Sequence, residues 1–317
     1  MSSGPLATHV ARSDTVSVVP IDIFRTGAPT LWTRGEGCVE LAELLSPVPA
    51  VRAEGDLARA CIATRADAVV SRRLSSSFEL VPQIVPEAVD LDSSGSIVAA
   101  VSGGPHSPVA AAVAARLGRV TGLPASMVCA YRDDEGQAAA LSLIQALYAQ
   151  IPDLEYRLLE ASDAPTLTAQ LPEDVTLVLG APGGSWLQRT FFSRGAKLIQ
   201  TAPAGAIVVR SAPRRVFQEM GEPVYVSPMR EATDILRVHT EGVLAVTDAG
   251  KLVGVVRRKS LEIADPGVPV SELMEGPRSV PVAAAMEEAA ELWDEFDPDP
   301  LPVVDDDGFL VGGLVIT

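Results

Sequence analysis

The chain has 317 residues, 47% of them hydrophobic and only 4% aromatic, and a formal net charge of −16 from 25 Lys+Arg against 41 Asp+Glu. That length holds about two domains, or three small ones, and that hydrophobic content excludes a disordered chain with no core. The charge excludes a nucleic-acid polymer as partner, because neutralising phosphates takes clustered Lys and Arg, and it argues against docking on an anionic membrane.

The charge is unevenly spread: residues 1–95 carry 8 basic and 12 acidic side chains, residues 96–212 carry 8 and 9, and residues 213–317 carry 9 and 20. Three cysteines, Cys38, Cys61 and Cys129, lie far apart without a CxxC spacing and read as free thiols of a reducing compartment. No basic-then-apolar leader opens the chain and no run reaches ~18 apolar residues, so a cytoplasmic protein without membrane insertion is expected.

In chain order, residues 39–45 read as a short helix, Asp56 as the cap of a helix reaching about Thr64, and residues 66–71 as a strand. Prolines 82 and 86 and the run Asp92-Ser93-Ser94-Gly95 suggest a linker ending near 95, after an N-terminal α/β segment of unassigned role. Ile97–Val101 is a short apolar run suited to a buried parallel strand, followed by the tight loop 102–107, with Ser107 as helix cap and Pro108 at the first helical position. Strands at 126–131, 154–160, 175–180 and 205–210 then alternate with helices at 135–150, 164–170 and 186–201. Five strands alternating with helices predict a doubly wound parallel sheet, covered on both faces.

From 213 two copies of one unit of about 57 residues follow. The first has a strand at 224–227, a helix at 230–238 and strands at 243–246 and 252–256 around Asp248-Ala249-Gly250. The second has Val280-Pro281-Val282, a helix at 286–296 and strands at 301–304 and 309–314 around Asp306-Asp307-Gly308. Asp307-Gly308 is the stronger two-residue hairpin signal of the two turns.

Three stretches in the order VAAVSGGPHS (98–107), LVLGAPGGSWLQRTFFSRG (177–195) and APAGAIVVR (202–210) make residues 96–212 resemble a universal stress protein domain. The resemblance implies a stress-response role and an ATP-binding edge where Ser102, Gly103, Gly104, Gly180, Gly183, Gly184 and Ser193 would line the phosphate loops. The chain departs from that family's pattern: Ser193-Arg194 stands where the family has Gly followed by Ser or Thr, and Ser102 where it has an acidic residue. Arg189, Arg194 and Lys197 remain to attract an anion, while the same glycines equally suit plain tight turns.

Residues 216–317 resemble a pair of cystathionine-β-synthase (CBS) domains, on the strand–helix–strand–turn–strand order and the hairpins VLAVTDAGKLVGVV (243–256) and LPVVDDDGFLVGG (301–313). That resemblance implies a cleft for AMP, ATP or another adenosyl ligand such as cyclic di-AMP, and a homodimer. Here Arg257 and Ser260 occupy the places of the family's Thr and Asp, and Arg257-Arg258-Lys259 forms a basic island that suits either phosphate or a solvated helix start.

No histidine of His9, His106 and His239 has metal-ligand spacing, and Ser185 lacks the nucleophile-elbow pattern. Arg72-Arg73-Leu74-Ser75 reads as a polar turn or a kinase target. The function these features imply is a non-enzymatic sensor of an adenine nucleotide or cyclic dinucleotide; the alternative is a ligand-free interaction module binding a protein partner.

Overall fold

In the computed structural model, which describes residues 23–24, 27–181, 202, 204–296 and 299–315, the alternating elements build one large sheet and two small ones. The strands β1 (Thr30–Trp32), β2 (Val51–Arg52), β3 (Ala68–Val70), β4 (Gln83–Glu87), β5 (Ser96–Val101), β6 (Ala125–Tyr131), β7 (Glu155–Glu160), β8 (Val175–Gly180) and β9 (Ala206–Arg210) run in the order β2-β1-β3-β4-β9-β8-β5-β6-β7. Every neighbouring pair is parallel except β4 and β9, which pair antiparallel from Gln83↔Arg210 to Glu87↔Ala206.

The five strands expected between 96 and 212 are therefore present and parallel, but the sheet extends beyond them. Residues 30–87 add four more strands, and the loop near 95 lies within one continuous sheet instead of between separate cores. The reason is the edge: β9 alone would present unpaired backbone groups to solvent, and β4 satisfies them. Both halves are wound the same way. β1 and β3 are neighbours with β2 on the outer side, as β8 and β5 are neighbours with β6 on the outer side.

Side chains alternate across the sheet. Ile97, Ala99 and Val101 pack on one face against α1 (Cys38–Leu45), α3 (Ser107–Thr121) and α4 (Asp134–Gln150). Val98 points the other way, with Leu177 and Leu179, toward α5 (Ala164–Thr168). The Ala110–Ala112 run and Ala114 let α3 sit close on the sheet, in keeping with the low aromatic content. Asp56 caps α2 (Leu57–Thr64) through the Arg59 amide at 2.9 Å. Ser107 is the first residue of α3 instead of its cap, and its Oγ accepts from the Ser102 amide at 3.1 Å, closing the loop after β5. The helix expected at 186–201 lies outside the described residues.

The C-terminal repeat comprises α6 (Val216–Glu219), β10 (Tyr225–Val226), α7 (Ala232–Leu236), β11 (Val243–Asp248), β12 (Lys251–Arg257), α8 (Arg258–Glu262), a 3-10 turn (Val270–Glu272), β13 (Val280–Pro281), α9 (Met286–Phe296), β14 (Leu301–Val304) and β15 (Leu310–Leu314). Sheets β10-β11-β12 and β13-β14-β15 share one design, a parallel pair followed by an antiparallel hairpin. The turns reverse the expected ranking. Ala249 and Gly250 both have positive φ (49° and 83°) and form the two-residue turn. At the other tip only Gly308 does (81°), and the Asp305 carboxylate organises the turn by accepting from the Asp307 and Phe309 amides. The tips join: the Leu252 amide donates to Gly308 O and the Leu310 amide to Gly250 O, both at 3.0 Å.

Each repeat is completed by the segment that precedes the other. Arg215 bridges Ala285 while Pro269 bridges Glu231, an offset of 54 residues in both cases. The Val216 amide donates to Ala284 O as the Val270 amide donates to Arg230 O, and Phe217 to Val282 O as Ser271 to Pro228 O. The second repeat also packs on the large sheet: Val216, Phe217, Val280, Val303 and Leu314 share one core with Leu31, Cys61 and Val69.

Candidate functional site

Because β5, β6 and β8 are parallel, their carboxyl ends share one edge, and there the strand order reverses between β5 and β8. A cavity of about 440 Å³ opens at this edge, lined by Ser102 and Gly103 from the loop after β5, by Cys129, Tyr131, Arg132 and Asp133 at the end of β6, and by the first turns of α4. Gly103 adopts φ +79°, a conformation a side chain would strain, so the loop bends close over the cavity. Asp133 caps α4 by accepting from the Gly136 amide at 2.8 Å, and the Gln137 amide group donates to the Tyr131 hydroxyl at 3.2 Å. The Arg132 guanidinium donates to Ser162 O at 2.8 Å.

Of the sequence-derived site residues, Ser102 and Gly103 line this cavity, Gly104 follows them in the same loop, and Gly180 ends the adjacent β8. Gly183, Gly184 and Ser193, with Ser185, Arg189, Arg194 and Lys197, lie outside the described residues. Sequence reading missed Tyr131, Arg132 and Asp133; the available signal was their place where β6 turns into α4.

His106 fastens the same loop to the end of β9. Its Nδ1 accepts from the Ser211 amide at 3.0 Å and lies 2.8 Å from the Ser211 hydroxyl. An amide can only donate, so Nδ1 is the unprotonated nitrogen and the neutral ring carries its proton on Nε2. Burial first, and then the neighbouring Arg210 charge, lowers the His106 pKa.

Arg257 and Ser260 lie in the other proposed site, at the end of β12 and on α8. The basic island is largely paired. Arg257 Nε lies 3.2 Å from Glu275, and Arg258 binds Glu262 at 2.8 Å and His239 O at 2.7 Å, which leaves Lys259 as the exposed member. The three cysteines are free and buried; burial pushes the Cys61 thiol up to about 12 and Cys129 to about 11. Among the described residues no group of three or more His, Cys, Asp or Glu is arranged to hold a metal ion, and no helix is long and apolar enough to cross a membrane.

No family model matches the chain, and no curated protein matches it. Among solved structures, similar ones are CBS domain pairs. A CBS domain pair/ACT domain protein from Thermotoga maritima is 21% identical, over 32% of this chain and 89% of that one, with a TM-score of 0.30. CBSX2 from Arabidopsis thaliana is 28% identical over 33% and 89%, with a TM-score of 0.30, and its complex with AMP is 29% identical over 32% and 89%, with a TM-score of 0.28. The cytosolic domain of the Mg2+ channel MgtE in complex with ATP is 20% identical over 65% and 79%, with a TM-score of 0.30.

Proposed function

We propose that this chain is a regulatory, non-catalytic sensor in which residues 213–317 form a CBS pair that responds to an adenine nucleotide or cyclic dinucleotide. One observation carries the reading: the reciprocal completion of the two repeats, with Arg215 on Ala285 and Pro269 on Glu231. Such an arrangement places two like sheets about a shared centre, so a ligand seated between them would favour one relative geometry of the repeats over another. The universal-stress-like reading of residues 96–212 belongs to the same proposal. It is supported by the parallel order β7-β6-β5-β8-β9 and by the cavity over Ser102 and Gly103. A homodimer and a protein partner acting downstream complete it.

Thermal melting of the full chain with AMP, ATP and cyclic di-AMP tests the reading. A ligand at 100 times its Kd adds about 2.7 kcal/mol of stability. A shift that Arg257→Ala removes would assign the sensing to the repeats. The absence of any shift favours the second reading, a ligand-free interaction module, for which the pairing of Arg257 with Glu275 and of Arg258 with Glu262 speaks.

A further inference from the structure

The antiparallel joint between β4 and β9 has a geometric consequence. The strands β1, β3 and β4 run opposite to β5, β6 and β8, so their carboxyl ends emerge at the other edge of the sheet. A second crevice lies there, distinct from the one over Ser102. It encloses about 590 Å³ and is lined by Glu36 and Gly37 after β1, Arg72 and Arg73 after β3, and Glu87 with the short segment that follows it at the end of β4. It sits where β1 and β3 adjoin and the order of this half reverses, the position where open parallel sheets take ligands. Its volume falls in the range of small-molecule sites.

The charges around it are unspent. Two guanidinium groups and two carboxylates face one cavity, yet among the described residues none of Arg72, Arg73, Glu36 and Glu87 forms an ion pair or a side-chain hydrogen bond. Opposite charges that surround a space without closing on one another leave both kinds of group for a guest. Guanidinium groups match phosphate oxygens, and carboxylates accept from hydroxyl groups. We propose that this crevice binds a phosphorylated polyol, with Arg72 and Arg73 on the phosphate and Glu36 and Glu87 on the hydroxyls. The site gives the N-terminal half of the sheet a binding role independent of the C-terminal repeats.

The test is isothermal titration calorimetry on the full chain with ribose 5-phosphate, AMP and inorganic pyrophosphate. Binding of ribose 5-phosphate or AMP is expected, at least ten-fold weaker in Arg72→Ala/Arg73→Ala. Only the binding that Arg72→Ala/Arg73→Ala weakens counts, since the C-terminal repeats are themselves proposed to take AMP. Within it, AMP tighter than ribose 5-phosphate would make the guest a nucleotide, and equal binding would make it a sugar phosphate. Glu36→Gln/Glu87→Gln should weaken ribose 5-phosphate and leave pyrophosphate unchanged, a split that a folding defect would not produce. All four side chains are exposed, so each variant should melt with the wild type when no ligand is present. Absence of binding by all three probes, or an affinity for them unaltered by the arginine substitutions, overturns the proposal. Arg257→Ala, run beside these variants, reports on the C-terminal cleft alone, so the two sites fail or stand separately.

Discussion

The Met220 sulfur lies 2.7 Å from the place a Cβ on Gly312 would take, and the Met274 sulfur stands in the same relation to Gly254 at 2.9 Å. These two contacts are one contact made twice, since Met220 precedes the first repeat and packs on the second, and Met274 does the reverse. Gly254 and Gly312 are therefore needed for close approach of the exchanged segments.

Substituting them should destabilise the fold unequally. At Gly254 the added Cβ also meets the Glu275 carbonyl oxygen at 2.6 Å, which is backbone and cannot swing aside. At Gly312 the nearest atoms belong to the flexible Met220 side chain. Overpacking of this kind costs about 1–3 kcal/mol. Urea unfolding should show Gly254→Ala at the upper end of that range and Gly312→Ala at the lower.

The same exchanged segment carries the junction with the large sheet. The Arg65 guanidinium donates to Met220 O at 2.8 Å, Gln218 Nε2 to Ala66 O at 3.2 Å, and Arg215 to Glu79 O at 2.8 Å. Phe217, fully buried between the two bodies, is the apolar anchor. Phe217→Ala should cost about 3–5 kcal/mol in urea unfolding. A wild-type-like midpoint would show that the two bodies do not share a core in solution.

His106 predicts a pH dependence with a definite sign. Its pKa in the folded protein lies below the usual 6.5, so in the interval between the two values the unfolded chain binds more protons. Stability from this group is complete above about pH 6.5 and is lost as pH falls through the lowered folded value. His106→Gln should flatten that part of the stability–pH curve. An identical slope in the variant would remove His106 from the account.

The cap at the mouth of the first cavity should be measurable by itself. Asp133→Ala deletes the acceptor of the Gly136 amide and should cost about 0.5–2 kcal/mol, the usual value of an N-cap. Chemical denaturation of the ligand-free chain reads it. Asp133→Asn, which keeps a side-chain oxygen acceptor, should recover most of the loss.

Local chemistry determined the elements themselves: the Asp56 cap, the apolar run Ile97–Val101, and the 213–317 repeat are each decided by neighbours a few residues away. The repeat was legible because both copies obey the same short-range pattern. The tertiary structure decided everything that depends on which distant segment a backbone meets. No periodicity in Gln83–Glu87 says that it will pair antiparallel with β9, and that choice turns a five-stranded sheet into nine and sends two crevices to opposite edges. Nor does Arg257 announce that Glu275 will reach it, since a charge's partner is set by the fold and not by its place in the chain. Length, composition and charge bounded the kind of protein; strand pairing across long stretches of chain determined where its charges stand opposed and where they are left open to a ligand.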